Sequence, residues 1–448
     1  MEISGNKISI IGAVRSGTGA AKLVKRLGGK PFVSDSGDAK KLEKSLKVLK
    51  ENEIEYEVGS HSEKVFDCEL MVVSPGVPSD ARVVVAAKEK NIKVIGEIEL
   101  ASAFCKGNII AITGTNGKTT TTSLCGHLLK TCGTNAYVVG NIGDAFSEVA
   151  LNVKENEFVA LEVSSFQLDM IDEFKPKVAA ILNITPDHLN RYENKFENYI
   201  YSKFRIFKNQ NDSDYLILNK DDKTLNEYIS PHDSRDFYFS LNESQQNGCF
   251  RLNEKVIYNK NGKSEFECEV SDIFIPGEHN VANAMAAISA VKIFNLDNDK
   301  MKKGLKTFKG VEHRLEFVRE LEGVRYINDS KATNVDSVWY ALQSFDEPIF
   351  LILGGQDKGN DYNQIKELVL QKVKKIYAIG SSADKIFNFF HHDVKVEMEK
   401  SLQNAVISAS KESREGEVVL LSPACASFDQ FEDYQHRGKV FKESVNKL

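Results

Sequence analysis

The sequence predicts an α/β protein of three domains, and three observations support this prediction. Continuous apolar strands alternate with helix-like segments, which is typical of parallel sheets covered on both faces. A glycine-rich loop directly after the strand at 108–113 marks a second α/β unit, and a third unit begins near Val311. The 448 residues suffice for two to four cores of roughly 150 residues each. We therefore expect Rossmann-like domains at 1–96 and 311–448, and a central P-loop domain at 97–310.

The first domain has the alternation of a βαβ fold but only part of a nucleotide-binding fingerprint. Its predicted strands are 7–12, 31–35, 70–73 and 92–95, and its predicted helices are 18–27 and 81–90. Val14 occupies the second glycine position of G-x-G-x-x-G, where its side chain would obstruct a pyrophosphate. Asp35, at the end of the second strand, suits a ribose-binding acid. A nucleotide-like ligand and a plain βαβ turn both remain open, and an NAD site is disfavoured.

The central domain is predicted to combine a buried parallel sheet with a polar, helix-poor segment near its end. The predicted strands are 108–113, 136–139, 158–163, 178–182 and 215–218. Residues 242–276 are polar and helix-poor, which predicts a small antiparallel addition. An Ala-rich amphipathic helix is expected at 281–294. The strands predicted in the third domain are 349–353, 375–379 and 418–421.

The strongest local signal is the loop Gly114-Thr115-Asn116-Gly117-Lys118-Thr119. It follows a buried strand and opens a helix, the context of a phosphate-binding loop. Ile112 stands where the general pattern has its first glycine, so the loop is a variant form. Lys118 would neutralise the β- and γ-phosphates, and the Thr119 hydroxyl would reach Mg²⁺. The alternative is a strand–turn–helix joint with incidental glycines.

Three further residues have both a structural and a functional interpretation. Glu162 lies in an otherwise apolar strand, so it needs either Mg²⁺ or a basic partner. His188 follows a strand and a Pro186-Asp187 turn, and a lone histidine there could simply pack or face solvent. Lys203 lies in a segment that predicts an amphipathic helix with a snorkelling lysine. The residues alone do not decide between these interpretations.

Composition excludes several classes of protein. The 58 basic and 64 acidic residues give a formal charge of −6, without the basic field that non-specific nucleic-acid binding needs. No apolar run approaches the ~20 residues of a membrane span, and the N-terminus lacks the features of a signal peptide. The seven cysteines contain no Cys-x-x-Cys pair and predict reduced thiols. We expect a cytoplasmic enzyme that binds neither nucleic acid nor membrane.

Taken together, the motifs resemble those of the Mur ligases, ATP-dependent amide-bond-forming enzymes of peptidoglycan precursor synthesis. They are Gly114 to Thr119, Gly140-Asn141-Ile142-Gly143, Leu161-Glu162-Val163-Ser164-Ser165, Asp187-His188, Gly277-Glu278-His279-Asn280, His313-Arg314, Asp329-Ser330-Lys331-Ala332-Thr333-Asn334 and Ser422-Pro423-Ala424-Cys425-Ala426-Ser427. They occur in the family's order along nearly the whole chain. The last two segments look specific to the member that adds D-glutamate.

The resemblance implies the substrates, cofactors and residue roles. The reaction would add D-glutamate to UDP-N-acetylmuramoyl-L-alanine through an acyl phosphate, using ATP and two Mg²⁺ ions. The implied UDP-substrate residues are Arg15, Ser16, Asp35, Ser36, Gly37, Gly76, Asn141 and His188. The implied ATP residues are Gly114, Thr115, Asn116, Gly117, Lys118, Thr119, Asn280, Asn283, Arg314 and Asp329.

The remaining implied roles concern the metal, the chemistry and the amino acid. Thr119, Glu162, His188 and Lys203, the last as a carbamate, would bind the metal ions. Lys118, Glu162, His188, Lys203 and Arg314 would be catalytic. The implied D-glutamate residues are Lys331, Thr333, Lys358, Ser427 and Tyr434. A monomer is expected.

Departures from the family pattern affect individual contacts rather than the reaction. Arg15 is charged where an apolar residue is common, the loop around Lys358 differs from one common form, and Tyr434 adds a hydroxyl to an expected aromatic ring. Two alternatives stay open. One is another Mur-family or folylpolyglutamate-type amide ligase, and the other is a P-loop ATPase that is not a ligase.

Overall fold

The computed structural model describes residues 1–357 and 359–448. Within these residues the strands form three sheets, one in each of the predicted sequence ranges. The chain divides into two compact units, Met1–Asp272 with Ala282–Lys306 and Ile273–Val281 with Thr307–Leu448. The first unit holds two sheets because α1 and α4, beside the first sheet, pack against α6 of the second. The boundaries at 96 and 310 therefore stay a prediction.

The first sheet is parallel and has the strand order β3-β2-β1-β4-β5. Its strands are β1 (Lys7–Ile11), β2 (Lys30–Asp35), β3 (Glu55–Val58), β4 (Leu70–Val73) and β5 (Lys93–Gly96). The accompanying helices are α1 (Arg15–Arg26), α2 (Glu43–Glu51), α3 (Arg82–Glu89) and α4 (Glu97–Ser102). The chain reverses its direction of winding between β1 and β4, which places a crevice at the carboxyl ends of these strands.

The central sheet has the order β14-β13-β12-β11-β10-β9-β6-β8-β7. Its strands are β6 (Asn108–Thr113), β7 (Ala136–Gly140), β8 (Phe158–Glu162), β9 (Val178–Ile181), β10 (Tyr215–Asn219), β11 (Arg235–Ser240), β12 (Gly248–Leu252), β13 (Lys255–Lys260) and β14 (Lys263–Glu269). The predicted antiparallel addition is β12–β14, and β12 pairs in parallel with β11, so the addition extends the main sheet.

The helices associated with the central sheet are α5 (Lys118–Thr131), α6 (Phe146–Val149), α7 (Ser165–Leu168), α8 (Phe196–Phe204), α9 (Lys223–Tyr228), α10 (Glu278–Lys292) and α11 (Asn298–Thr307). The prediction of an amphipathic helix was wrong for α10. From Asn283 to Lys292 its side chains are buried around the whole circumference. Small alanine side chains permit this, because neighbouring elements can approach the helix closely on every side.

The C-terminal sheet has the order β15-β16-β20-β17-β18-β19, antiparallel only between β15 and β16. Its strands are β15 (Glu316–Leu321), β16 (Val324–Asn328), β17 (Ile349–Gly354), β18 (Val373–Ile379), β19 (Lys395–Met398) and β20 (Val418–Leu421). Its helices are α12 (Val335–Gln343), α13 (Asn363–Lys372), α14 (Ala383–Phe390), α15 (Leu402–Glu412) and α16 (Tyr434–Asn446). Apolar clusters on both faces of this sheet form its core.

Candidate functional site

The phosphate-binding loop lies at the carboxyl end of β6, between Thr113 and the start of α5 at Lys118. Gly114 and Gly117 have φ angles of 155° and 81°, which side chains disfavour. A Cβ atom at Gly117 would also clash with Oδ1 of Asn283. The first turn of α5 contains no acidic residue, so the positive end of the helix dipole is not cancelled locally. This loop has the backbone and electrostatics of an anion site.

Two residues that the sequence analysis missed fix the loop from the neighbouring strand. The main-chain carbonyl of Asn183, just beyond β9, accepts from Thr115 N at 2.9 Å, and its side-chain Oδ1 accepts from Asn116 N at 2.8 Å. Thr185 N donates to Thr115 Oγ1 at 3.0 Å. Their only sequence signal was their position after a strand that pairs with β6. These contacts hold the loop in its curled form.

Two lysines converge on the carbonyl of Gly114. Lys118 Nζ donates to it at 2.8 Å and to Thr115 O at 2.7 Å, while Lys203 Nζ, from α8, donates at 2.8 Å. Lys203 is buried, with its ammonium 4.6 Å from the centre of the Tyr199 ring. Burial, followed by the charge of Lys118, lowers the pKa of Lys203 well below its ordinary value. The snorkelling interpretation of Lys203 is therefore wrong.

Glu162 ends β8, the strand beside β6, and is 1% exposed. Its Oε1 accepts from Asn141 Nδ2 at 2.8 Å, and its Oε2 has no hydrogen-bond partner. No described cation forms an ion pair with it, which removes the salt-bridge interpretation. A buried carboxylate oxygen without a partner is costly. It has the hard-oxygen chemistry that Mg²⁺ prefers.

The described residues do not form a complete metal cage. No group of three or more His, Cys, Asp or Glu side chains among them is arranged to hold a metal ion. Mg²⁺ commonly binds one or two carboxylates and takes its remaining ligands from water and substrate phosphates. The unpartnered oxygen of Glu162 therefore fits Mg²⁺, whose remaining ligands would come from water, a bound phosphate or other groups.

His188 lies on the loop after β9, on the side of β6 opposite β8. It has a left-handed φ of 52°, and its side chain is exposed. Its ring lies 5.1 Å from the Phe166 ring, and Nε2 is 3.5 Å from Asp187 Oδ2. The strained backbone and exposed ring do not suit a core-packing role.

Helix α8, which carries Lys203, is fastened to the turn that follows Glu162. Ser202 Oγ lies 2.6 Å from Asp169 Oδ1 and 3.0 Å from Ser165 O. Arg205, just beyond α8, donates to Leu168 O and Ile171 O, both at 2.7 Å. These residues were missed because isolated polar side chains form no sequence motif. They fix the spacing between Glu162 and Lys203.

In the first domain three of the predicted UDP-substrate residues, Asp35, Ser36 and Gly76, line a cavity of about 350 Å³ at the ends of β1, β2 and β4. Gly12, which was not predicted as a site residue, lines it as well. The Asp35 carboxylate accepts from Ala13 N and from Gly37 N, both at 2.7 Å, so it shapes the walls of the cavity.

Arg15 and Ser16 open α1, next to this cavity. The Arg15 guanidinium donates to Gly143 O at 2.5 Å and to Gly140 O at 3.0 Å. The structure thus joins its side chain to the loop that contains Asn141. The sequence pattern did not indicate this contact.

The C-terminal unit places Arg314 and Asp329 on adjacent loops. Asp329, 2% exposed, accepts from Ser422 Oγ at 2.8 Å and from Leu315 N at 3.2 Å. Burial raises its pKa to about 6, while the charge of Arg314 opposes this shift. The Arg314 Nε is buried without a hydrogen-bond partner. Arg314 also lowers the pKa of His279, which burial brings to about 4.

The two predicted adenine-site asparagines both lie along α10 and are buried. Asn280 belongs to the C-terminal unit and donates through Nδ2 to Pro276 O at 2.6 Å. Asn283 belongs to the first unit, where it abuts Gly117. Helix α10 thus passes from one unit to the other between them.

Four of the five residues predicted to bind D-glutamate are described. Lys331 and Thr333 follow Asp329, and Lys331 Nζ lies 5.9 Å from the centre of the Tyr434 ring. Tyr434 opens α16, and its carbonyl accepts from Ser330 Oγ at 2.8 Å. Ser427 is buried on the loop after β20. Lys358 lies outside the described residues.

A fully buried guanidinium, Arg437, links these loops and was also missed. Its Nε donates to Ser330 Oγ at 3.0 Å, Nη2 to Ser330 O at 2.8 Å and Nη1 to Cys425 O at 3.1 Å. It forms no ion pair with a described carboxylate. Burial lowers its pKa to about 10, so it stays charged at neutral pH.

Comparison with known proteins gives matches in all three sequence ranges. Three family models match the chain: the MurD N-terminal domain at residues 7–83, the Mur ligase middle domain at 112–291, and the Mur ligase, glutamate ligase domain at 313–425. A UDP-N-acetylmuramoylalanine–D-glutamate ligase from Christiangramia forsetii is 45% identical over 99% of this chain and 100% of its own length. The chain belongs to the Mur ligase family.

Other Mur ligases are also similar to this chain in sequence or in fold. The chain is 43% identical over its full length to the UDP-N-acetylmuramoylalanine–D-glutamate ligase of Caldicellulosiruptor saccharolyticus, which is also fully covered. The crystal structure of the UDP-N-acetylmuramate–alanine ligase MurC from Thermotoga maritima matches with a TM-score of 0.63 at 20% identity, covering 99% of both chains. The chain therefore has the three-domain α/β fold of the Mur ligases. No helix among the described residues is long and apolar enough to span a membrane.

Proposed function

We propose that this chain is the Mur ligase that joins D-glutamate to UDP-N-acetylmuramoyl-L-alanine in peptidoglycan precursor synthesis, with hydrolysis of ATP to ADP and phosphate. The observation that carries the proposal is the 45% identity, over the full length, to a relative named for D-glutamate ligation. The match of residues 7–83 to the MurD N-terminal domain supports the same member of the family. Neither observation favours a folylpolyglutamate-type ligase or a P-loop ATPase that is not a ligase.

In this proposal the phosphate loop binds the ATP triphosphate. Main-chain N–H groups of residues 114–119 and the N-terminus of α5 would surround the phosphate oxygens. Lys118, which contacts its own loop through Gly114 O and Thr115 O, would turn to the β- and γ-phosphates. Asn280 and Asn283 are proposed adenine contacts, Arg314 a phosphate contact and Asp329 a ribose contact.

Thr119, Glu162, His188 and Lys203 are the proposed ligands of two Mg²⁺ ions. Magnesium at this site would offset the repulsion between the substrate carboxylate and the γ-phosphate. Burial and the proximity of Lys118 favour a neutral Lys203 amine, and only the neutral amine can add CO₂. We propose that Lys203 becomes a carbamate, which converts a buried amine into an anionic oxygen ligand.

The substrates are proposed to react in two steps. The alanyl carboxylate attacks the γ-phosphate and displaces ADP, giving an acyl phosphate. The amine of D-glutamate then attacks the acyl carbon, loses a proton and displaces phosphate to leave the amide. The positive charges of Lys118 and Arg314 would stabilise the transferring phosphoryl group. Asn141 and His188 would orient the UDP-substrate.

The C-terminal unit is proposed to bind the amino acid. Lys331 and Lys358 supply cations for the two carboxylates of D-glutamate, and Thr333, Ser427 and Tyr434 supply hydroxyl groups. Arg437 supports this site indirectly, because it bonds to the backbone at Ser330 and Cys425. We further propose that the enzyme acts in the cytoplasm as a monomer.

The proposal is tested by measuring phosphate release with ATP, Mg²⁺ and UDP-N-acetylmuramoyl-L-alanine, adding one amino acid at a time. D-glutamate should stimulate release, whereas L-glutamate, L-lysine and meso-diaminopimelate should not. Stimulation by L-lysine or meso-diaminopimelate in place of D-glutamate would contradict the substrate assignment. Release that needs no amino acid would favour the ATPase alternative.

A further inference from the structure

Arg82 is a cation on the wall of the first-domain cavity that the sequence analysis did not single out. It is the first residue of α3 and is exposed. It lines the same cavity as Gly12, Asp35, Ser36 and Gly76. Its side chain makes no hydrogen bond or ion pair with any described residue. An unpaired guanidinium at the edge of a ligand cavity is available to bind an anion.

The other ionisable side chains that line this cavity, Asp35 and His61, already have partners. Both Asp35 oxygens accept backbone N–H groups. His61, which also lines the cavity, is 2.6 Å from Ser34 Oγ through Nδ1. Arg82 therefore differs from its neighbours, because no contact within the fold accounts for its charge.

The position of the cavity determines which part of a nucleotide can reach Arg82. The cavity lies where the winding of the first sheet reverses between β1 and β4, the point at which α/β sheets bind nucleotides. Gly12, on the loop after β1, and Gly76, on the β4–α3 loop, both line the cavity. A diphosphate bound there can therefore contact the β4–α3 loop, which leads to Arg82.

The wall formed by the β4–α3 loop suits an anion. It contains Gly76, where an added Cβ would meet no atom within 4 Å, so a phosphate can approach the main chain there. Helix α3 begins beyond it with Arg82 and has no acidic residue in its first turn. The guanidinium can form two parallel hydrogen bonds to phosphate oxygens.

We infer that Arg82 binds the diphosphate of the uridine nucleotide substrate and is a further substrate-binding residue of this enzyme. This inference rests on the proposed function for the identity of the nucleotide. Arg82 acts on binding of the UDP-substrate and not on the chemistry at Glu162 and Lys203. Its loss should raise Kd and KM for that substrate and leave kcat unchanged.

The experiment compares the full-length Arg82→Met and Arg82→Lys variants with the wild-type chain. Lys88→Met is the matched control, because Lys88 is an exposed cation on the same helix but does not line the cavity. Calorimetry without ATP gives Kd for UDP-N-acetylmuramoyl-L-alanine, UDP and uridine. Because the guanidinium is exposed and water weakens its hydrogen bonds to the phosphates, we expect Kd to rise about tenfold when it is removed.

We expect Arg82→Met to weaken UDP and UDP-substrate binding about tenfold, to leave uridine binding unchanged, and to be partly rescued by Arg82→Lys. Unchanged UDP binding in Arg82→Met would overturn the inference. An equal loss for uridine would also overturn it, since Arg82 would then act on the base, the ribose or the shape of the cavity. If D-glutamate proves not to be the amino acid, the difference between UDP and uridine still tests Arg82 independently.

Discussion

Replacing Arg437 by methionine should loosen the loops that are proposed to hold D-glutamate. The guanidinium is fully buried and bonds to three main-chain or side-chain oxygens at 3.1 Å or less, two on Ser330 and one on Cys425. Methionine fills part of the same space but donates no hydrogen bond. The Ser330 and Cys425 carbonyls would then be left without these donors in the interior of the C-terminal unit.

The magnitude follows from the number of bonds lost. A typical hydrogen bond contributes about 1 kcal/mol net, so three bonds correspond to about 3 kcal/mol of unfolding free energy. For a domain of this size each kcal/mol corresponds to about 2–4 °C, so Tm should fall by about 6–12 °C. Relief of the desolvation cost of a buried cation opposes this loss. The net fall in Tm should therefore lie toward the lower end of the range of about 6–12 °C.

The assay combines thermal unfolding with steady-state kinetics well below the lower Tm. Arg319→Met is the matched control, because Arg319 is half-buried in the same unit and makes one weak bond of 3.4 Å to Val445 O. We expect Arg437→Met to raise KM for D-glutamate more than KM for ATP, and Arg319→Met to change neither. Wild-type stability and an unchanged KM for D-glutamate in Arg437→Met would refute this reasoning.

Three more changes test other parts of the site. Gly117→Ala places a side chain at a φ of 81° against Asn283, so a strain of about 1–2 kcal/mol falls on the phosphate loop itself and should lower kcat/KM for ATP about tenfold. Gly133→Ala introduces a similar strain at a φ of 91° outside the loop, where its Cβ would meet only Lys300 Nζ at 3.8 Å, and should retain ATP use. Equal kinetics in the two variants would contradict the role of the loop. Glu162→Gln should raise the Mg²⁺ concentration for half-maximal activity, and an unchanged magnesium titration would exclude Glu162 as a ligand. Burial raises the pKa of Asp329 from 3.8 to about 6, so between these pH values the folded state binds more protons than the unfolded state and loses stability as pH rises. Urea unfolding of Asp329→Asn should therefore show a flatter pH dependence of the unfolding free energy than wild type over this interval. Identical slopes in the two proteins would show that Asp329 does not titrate in this way.

Much of the fold was predictable because its central strands are buried on both faces. The strands at 70–73, 108–113 and 418–421 were predicted to the residue as β4, β6 and β20. The edge strands β3 and β19 were not predicted, since each has charged side chains and little burial. The burial pattern of α10 was also predicted wrongly, because an Ala-rich helix can be buried on every side without a regular apolar stripe.

The site was predictable where its chemistry needs a local motif. The glycine loop and the Lys118-Thr119 pair were evident because phosphate binding requires contiguous residues. Asn183, Arg205 and Arg437 were not, because each bonds to backbone groups far away in sequence. Arg15 shows the same limit: the contacts of its side chain with Gly140 and Gly143 depend on a loop more than a hundred residues away. Its role toward the UDP-substrate stays a prediction.

The central claim is that this chain forms an amide bond between UDP-N-acetylmuramoyl-L-alanine and D-glutamate. The most direct measurement is mass spectrometry of the uridine product after incubation with ATP, Mg²⁺ and both substrates, with ADP and phosphate quantified in the same samples. We predict a product heavier by one glutamyl residue, formed in equal amount to ADP and phosphate and absent with L-glutamate. ADP formation without this product would contradict the claim.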